Sequence, residues 1–293
     1  MSGDQAAYRP RRSVLYLPAS NERALEKAKT LPVDALILDL EDAVAPDAKE
    51  QARENACAAA RSGEYGRREV TIRVNGRGTQ WHLDDLRAVA AAGPDAVVVP
   101  KVGSAREVEQ LVAALEEYGA PEHTQLWAMV ETPQAMLHCE EIAGASERLT
   151  VLVMGTNDLA KELHAEHVPG RAPLLTGLSL CLLAARATGT VILDGVYNDV
   201  KDAEGFEAEC VQGREFGFDG KTLIHPGQVE VCNRTFAPSA EAVEDARGIV
   251  AAWEAGAGSG VVTLGGRMIE QLHVDTATRV LAIDEAIRAL DEA

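Results

Sequence analysis

ALILDLEDAVAPDAKEQARENACAAAR, residues 35–61, is the stretch whose reading decides the fold. It opens on a short run, Ala35–Leu40, apolar on both faces. It passes through two acids, Glu41 and Asp42, and enters an Ala/Glu-rich helical segment from Asp47 to Arg61. A short run apolar on both faces suits a parallel strand covered by helices. Asp47, ahead of the apolar pattern, reads as a helix N-cap.

The same unit repeats along the chain. Strand-like runs recur at Ser13–Leu17, Glu69–Val74, Ala96–Val99, Leu126–Val130, Val151–Met154, Val191–Leu193 and Gly220–Ile224. Helical segments fall between them at Glu22–Thr30, His82–Ala92, Ala105–Tyr118 with Ser104 as N-cap, Gln134–Ala143, Leu174–Thr188 and Ala203–Phe216, and another starts near Gln228. Eight such βα units in roughly 235 residues predict a (β/α)8 TIM barrel. The runner-up, a doubly wound sheet, wants a Gly-rich first turn. The first turn here is Pro18-Ala19-Ser20-Asn21. The barrel is assigned to residues 1–237. Residues 238–293 form a C-terminal helical extension with a helix Glu241–Glu254, a Gly-rich tract, a strand-like run Val261–Leu264, a Gly265-Gly266 turn and an amphipathic helix from about Met268 to Leu290. That extension reads as a lid or arm packing on a neighbouring subunit, because a barrel with eight helices already covers itself.

Composition narrows the partners. With 28 basic and 46 acidic residues the chain carries a formal charge of −18, which repels nucleic-acid backbones and anionic membranes. Aromatic residues at 4% leave few stacking platforms for single strands. No window approaches 18 apolar residues, and Met1–Arg12 lacks an apolar signal core, so the expected location is cytoplasmic. The five widely spaced cysteines contain no CxxC pair and read as buried thiols.

In a barrel the chemistry lies just beyond the C-terminal ends of the strands. Those positions collect Glu41, Asp42, Glu131, Asp158, Asp194 and Asp199, with Arg73 and Lys101 among them. Acids crowded at one mouth repel unless a cation lies between them. Oxygen ligands without paired His or Cys point to Mg2+, or Mn2+. Glu131 and Asp158 are the best metal pair: they stand 27 residues apart, one βα unit, and so end adjacent strands. Arg73, in an otherwise apolar strand, either pairs with Glu41 or Asp42 or grips a substrate oxygen. Lys101 either forms a Schiff base or supplies positive charge to the mouth. His164 and His167 read as a surface loop, and His225 as either a structural hydrogen-bonding residue or a catalytic one.

The motifs RSVLYLP (12–18), LDLEDAV (38–44), IRVN (72–75), PKV (100–102), Glu131-Thr132, GTNDL (155–159), IHPGQ (224–228) and GRMIE (266–270) follow one another as they do in the citrate lyase β-subunit-like family. The chain resembles that family, which includes malyl-CoA and citramalyl-CoA lyases, over nearly its whole length. The resemblance implies a (β/α)8 barrel, Mg2+ and an acyl-CoA substrate. It implies that Glu131 and Asp158 bind the metal, that Arg73 contacts the thioester carbonyl, and that Glu41 and Asp42 order metal-bound water. It places Glu270 at the position of an acid/base that a neighbouring subunit supplies, where the lyases carry Asp. The lyases often have Glu at the position of Asn157, and the stretch Gly155–Lys161 looks more like a malyl-CoA thioesterase branch.

The expected activity is Mg2+-dependent carbon–carbon cleavage of a 3-hydroxyacyl-CoA, of malyl-CoA or citramalyl-CoA type, by retro-Claisen chemistry. The alternatives are a (3S)-malyl-CoA thioesterase on the same scaffold, or the β subunit of a citrate lyase complex working with an acyl-carrier protein. CoA brings phosphates, and Arg23 and Lys27, four apart on one helix face, are the candidate residues for them. The tail predicts a homo-oligomer, a trimer or hexamer.

Overall fold

A computed structural model of the chain describes residues 8–256 and 260–291. They separate into two compact units, residues 11–233 and a second built chiefly from residues 234 onward. In the first unit, eight strands are arranged in sequence order as a closed barrel: β1 (Ser13–Pro18), β2 (Ala35–Asp39), β3 (Glu69–Arg73), β4 (Ala96–Val99), β5 (Gln125–Val130), β6 (Leu149–Met154), β7 (Val191–Asp194) and β8 (Gly220–Leu223). Every neighbouring pair is parallel, and β8 returns to β1 with Ser13 opposite Lys221. Closure excludes the doubly wound sheet.

The helices of this unit are α1 (Glu22–Ala28), α2 (Lys49–Ser62), α3 (His82–Ala92), α4 (Ala105–Glu117), α5 (Pro133–Leu137), α6 (Cys139–Ala143), α7 (Thr156–Glu162), α8 (Leu175–Thr188) and α9 (Ala203–Phe216); α10 (Val229–Phe236) runs across the boundary. Side chains alternate along each strand, so one set fills the barrel and the other lies under the helices. Val14, Ala35, Ile37, Val98, Trp127, Met129, Val151, Val153 and Leu193 pack together as one buried cluster. The alternate residues Leu15, Leu36, Leu38 and Leu126 are equally buried. Both faces of each strand are therefore covered, which is why the runs are apolar throughout. The five cysteines are buried free thiols.

Four local expectations change. Ser104 caps α4 by accepting from Glu107 N, but Asp47 caps nothing: it lies in a single 3-10 turn, Pro46–Ala48, and α2 starts at Lys49. The helix expected over 134–143 breaks at His138 (φ −111°, ψ 15°), which ends α5 and begins α6. A short helix, α7, follows β6 where no helix was read from the sequence. In the tail, Met268 belongs to a strand, not to the last helix.

The second unit contains α11 (Ala240–Ala255), β9 (Val262–Leu264), β10 (Arg267–Ile269) and α12 (Gln271–Asp291). Gly265 and Gly266 both take positive φ (55° and 82°), the backbone that a tight two-residue hairpin demands. That turn pairs Met268 with Thr263 and so delays the helix to Gln271. Ala246, Ile249, Ile269, Val274 and Ala277 form the unit's own core. Among the described residues no helix is long and apolar enough to cross a membrane.

Candidate active site

Arg73 is the last residue of β3, and the strand register sets it opposite Asp39, the last residue of β2. Its Nε and Nη2 donate to the two oxygens of Asp39, each at 2.6 Å. Nη1 lies 2.8 Å from Glu41 Oε2 and 3.8 Å from Asp42 Oδ2. The guanidinium also stacks over Tyr16, 4.9 Å from the ring centre. Burial works against the charge on Arg73, but Asp39 outweighs it and holds the guanidinium protonated. Arg73 thus pairs with Glu41 as one of its two expectations had it, but its principal partner is Asp39.

Asp39 is fully buried, and four donors converge on its carboxylate: the two from Arg73 and the backbone N–H groups of Glu41 (2.9 Å) and Ala43 (3.1 Å). It orients Arg73 and fixes the turn that carries Glu41 and Asp42. Lys49 secures that turn from beneath, donating to the carbonyls of Leu40 (2.7 Å) and Glu41 (2.6 Å). Asn75, after β3, is held by Asp85 through its backbone and side-chain amides (2.9 and 2.6 Å).

Two carboxyls here are pushed toward neutrality. Burial, with the repulsion of Asp42 and Asp39, outweighs Arg73 and Lys101 and raises Glu41 to about 6. Burial and the neighbouring charges of Asp158 and Glu41 raise Glu131 to about 7, against the pull of Lys101 and Arg73. Glu131 follows β5 and is 1% exposed. Its Oε1 accepts from Lys101 N at 2.8 Å. Gly155, after β6, makes room for it, because a Cβ at residue 155 would run into the Cβ and Oε2 of Glu131. Asp158 stands in the first turn of α7, where a helix N-terminus favours an anion.

These groups border a cavity of about 300 Å3 at the C-terminal end of the barrel, lined among others by Tyr16, Asp39, Asp42, Arg73, Glu131 and Asp158. Among the described residues no three His, Cys, Asp or Glu side chains converge to cage a metal. Two carboxylates facing one cavity, one of them buried and raised by its neighbours' charge, are the donor set that suits Mg2+, which keeps water and ligand positions open.

The other expected residues have surroundings of their own, although Asn157 also lines the cavity. Asp194 is fully buried and neutralised by Arg171 (2.6 Å) and Lys221 (3.1 Å), so it is a structural ion pair rather than a mouth carboxylate. Asp199 is exposed and accepts from Lys201 N. The repulsion at the mouth therefore comes from fewer acids than the six read from the sequence. Asn157 and Asn198 exchange two side-chain amide hydrogen bonds (3.0 and 2.7 Å). Arg23 and Lys27 are exposed on α1, and His164 and His167 are exposed beyond α7. His225 accepts from Gly227 N and caps the turn Pro226–Gln228, the structural one of its two expected roles. Glu270 is half-buried in the second unit, where its backbone N–H donates to His273 Nδ1 as α12 begins.

Sequence reading missed Asp39, Tyr16 and Lys49. Asp39 carried the same signal as Arg73, a charged residue inside an otherwise apolar strand. Tyr16 and Lys49 gave none, since an aromatic in a strand and a lysine in a helix are ordinary.

The HpcH/HpaI aldolase/citrate lyase family profile matches residues 12–226. A second profile, C-C_Bond_Lyase of the TIM-Barrel fold, matches residues 174–285. The chain is 51% identical over 282 residues to a (3S)-malyl-CoA thioesterase of Cereibacter sphaeroides, covering 96% of each. It is 36% identical over 285 residues to the citrate lyase subunit beta of Escherichia coli K12, covering 95% of this chain and 94% of that one. Among solved structures it resembles the CitE protein of Mycobacterium tuberculosis in complex with magnesium, acetoacetate and coenzyme A. The identity there is 30% and the TM-score 0.74, over 92% of this chain and 97% of the other.

Proposed function

Because the chain belongs to the HpcH/HpaI aldolase/citrate lyase family, we propose that it is a magnesium-dependent thioesterase that hydrolyses a 3-hydroxyacyl-CoA of the malyl-CoA type. The observation that carries hydrolysis ahead of carbon–carbon cleavage is the 51% identity with a (3S)-malyl-CoA thioesterase across 96% of both chains.

Glu131 and Asp158 are the residues to hold the metal, and bound there Mg2+ would supply Lewis-acid charge for the hydroxyl and carboxylate oxygens of the substrate. Arg73 donates to the thioester carbonyl and stabilises the oxyanion that forms there. It is suited to this because Asp39 immobilises Nε and Nη2 while Glu41 and Met129 engage Nη1, so the guanidinium is fixed with the outer N–H of Nη2 to offer. Glu41 lies beside Nη1 with a carboxyl near 6, so it is ionised at neutral pH yet basic enough to take the proton of an attacking water. Asp42 orients that water. The water oxygen bonds to the thioester carbon, the C–S bond breaks, and the sulfur leaves with the proton that Glu41 returns. The products are a free hydroxy diacid and CoA. Arg23 and Lys27 are assigned to the CoA phosphates. Glu270 is assigned as an acid/base contributed by a neighbouring copy in a homo-oligomer.

A second reading, retro-Claisen cleavage to a 2-oxo acid and an acyl-CoA, is favoured by the 36% identity with citrate lyase subunit beta. In it Glu270 takes the hydroxyl proton, and Arg73 stabilises the thioester enolate. A product assay separates the two. Malyl-CoA, citramalyl-CoA and 3-hydroxy-3-methylglutaryl-CoA are incubated with Mg2+ or with EDTA. Malate with free CoA thiol, appearing only with Mg2+, is expected; acetyl-CoA with glyoxylate would replace hydrolysis by cleavage. Activity that persists in a dilute monomer would remove Glu270 from a shared site.

A further inference from the structure

Lys101, two residues beyond the end of β4, has φ of 55°, in the left-handed region that side-chain-bearing residues seldom occupy. Such a conformation persists only where surrounding contacts hold it. Its amide and its ammonium both meet acids. The backbone N–H of Lys101 donates to Glu131 Oε1 at 2.8 Å. Its ammonium stands 3.6 Å from Asp158 Oδ1 and 3.8 Å from Glu41 Oε1. One residue thus meets three carboxylates, one through its amide and two through its side chain. The side chain is 44% exposed, so it has room to swing away while the amide stays on Glu131. The cysteines are buried, and Asp194 is neutralised within its own network by Arg171 and Lys221, which Glu209 also joins, so neither offers a comparable cluster of acids around one cation.

We propose that the Lys101 ammonium is the built-in counter-cation of the metal-free site, and that its displacement sets the affinity of the site for Mg2+. This rests on the reading of Glu131 and Asp158 as the magnesium carboxylates. The physical argument is competition between charges. The acids need positive charge near them whether or not the metal is bound, and the lysine supplies it first. An incoming dication must displace that ammonium from Asp158 and Glu41, and afterwards it feels the ammonium's repulsion. Even at roughly 6 Å in a water-like dielectric, one and two positive charges repel enough to weaken binding about tenfold.

The test is direct Mn2+ binding to the full-length protein without substrate, read from the electron paramagnetic resonance signal of the free ion. Lys101→Met is expected to bind Mn2+ about tenfold more tightly than the unsubstituted protein, and Lys101→Arg within twofold of it. Lys101→Gly relieves the left-handed strain, keeps the amide on Glu131, and is expected to tighten binding as Lys101→Met does. In EDTA, Lys101→Met should melt at a lower temperature than the unsubstituted protein, and Mn2+ should close the gap. Unchanged or weaker Mn2+ binding in both Lys101→Met and Lys101→Gly overturns the proposal. No Mn2+ binding by the unsubstituted protein overturns the metal assignment itself, and the proposal falls with it.

Discussion

Replacing Asp39 by Asn is expected to damage this protein more than any other single isosteric change at the site. The two oxygens of Asp39 face only donors: Arg73 Nε and Glu41 N on Oδ1, Arg73 Nη2 and Ala43 N on Oδ2. An amide has one accepting end. Whichever way it is turned, its NH2 confronts two N–H groups where the carboxylate had offered them an acceptor. The pair is also dry, with side-chain exposures of 9% for Arg73 and 1% for Asp39. Removing one partner of such a pair costs about 3–5 kcal/mol, because the remaining charge is left without its counter-ion. Arg73 keeps Glu41 at 2.8 Å, which places the cost toward the lower end of that range. Urea unfolding followed by tryptophan fluorescence measures it. Trp253 lies in the second unit, so a Trp253→Phe background confines the signal to Trp81 and Trp127 in the barrel unit. The double substitution Asp39→Leu with Arg73→Met should recover most of the loss, since an apolar pair leaves no stranded charge. In the folded fraction kcat should fall about a hundredfold as Arg73 loses its fixed direction. A cost under about 1 kcal/mol would refute the reasoning, as would a single Asp39→Asn that is as stable as the double variant.

Three further outcomes are expected. Glu131 sits near 7 when folded against an ordinary 4.5, so the folded state holds its proton more tightly; its contribution is full below about 4.5 and is lost as pH rises through 7. In EDTA this amounts to a fall of about 3 kcal/mol from Glu131, seen as a melting temperature that drops between pH 5 and pH 8. Mg2+ should flatten that slope, and Glu131→Gln should abolish the difference; equal slopes with and without Mg2+ would contradict the metal assignment. Gly155→Ala drives a methyl into the Glu131 side chain, so it should cost both Mn2+ affinity and activity, whereas a fully active variant would show that Glu131 can move without consequence. Ser104→Ala removes the cap of α4, three residues beyond Lys101, and should cost about 1 kcal/mol in urea unfolding.

The site was partly legible in the chain. Glu131 and Asp158, which line the cavity, could be picked out as candidates because strand ends in a barrel are where chemistry collects, and both follow such ends. Asp194 met the same criterion and is a structural ion pair. The difference is Lys221, in a strand adjacent in space but 27 residues on, and Arg171, in a turn between α7 and α8; no local pattern announces either partner. The same limit hid Asp39. Its importance follows from the register that sets it opposite Arg73, and register is a property of two strands together.

What the sequence determined by itself is the barrel: eight runs apolar on both faces, alternating with helical segments, have few other ways to bury their surfaces. Periodicity also located the arm's first helix and its Gly265-Gly266 turn, since these depend on residues close along the chain. Tertiary structure alone decided how the charges are shared at the mouth. It gave Asp39 to Arg73 and withdrew Asp194 to its own cations. It also set Lys101 in a left-handed turn against three carboxylates. These assignments depend on distances between residues far apart in sequence, and on burial that turns ordinary acids into groups titrating near neutrality. Neither quantity exists until the barrel has closed.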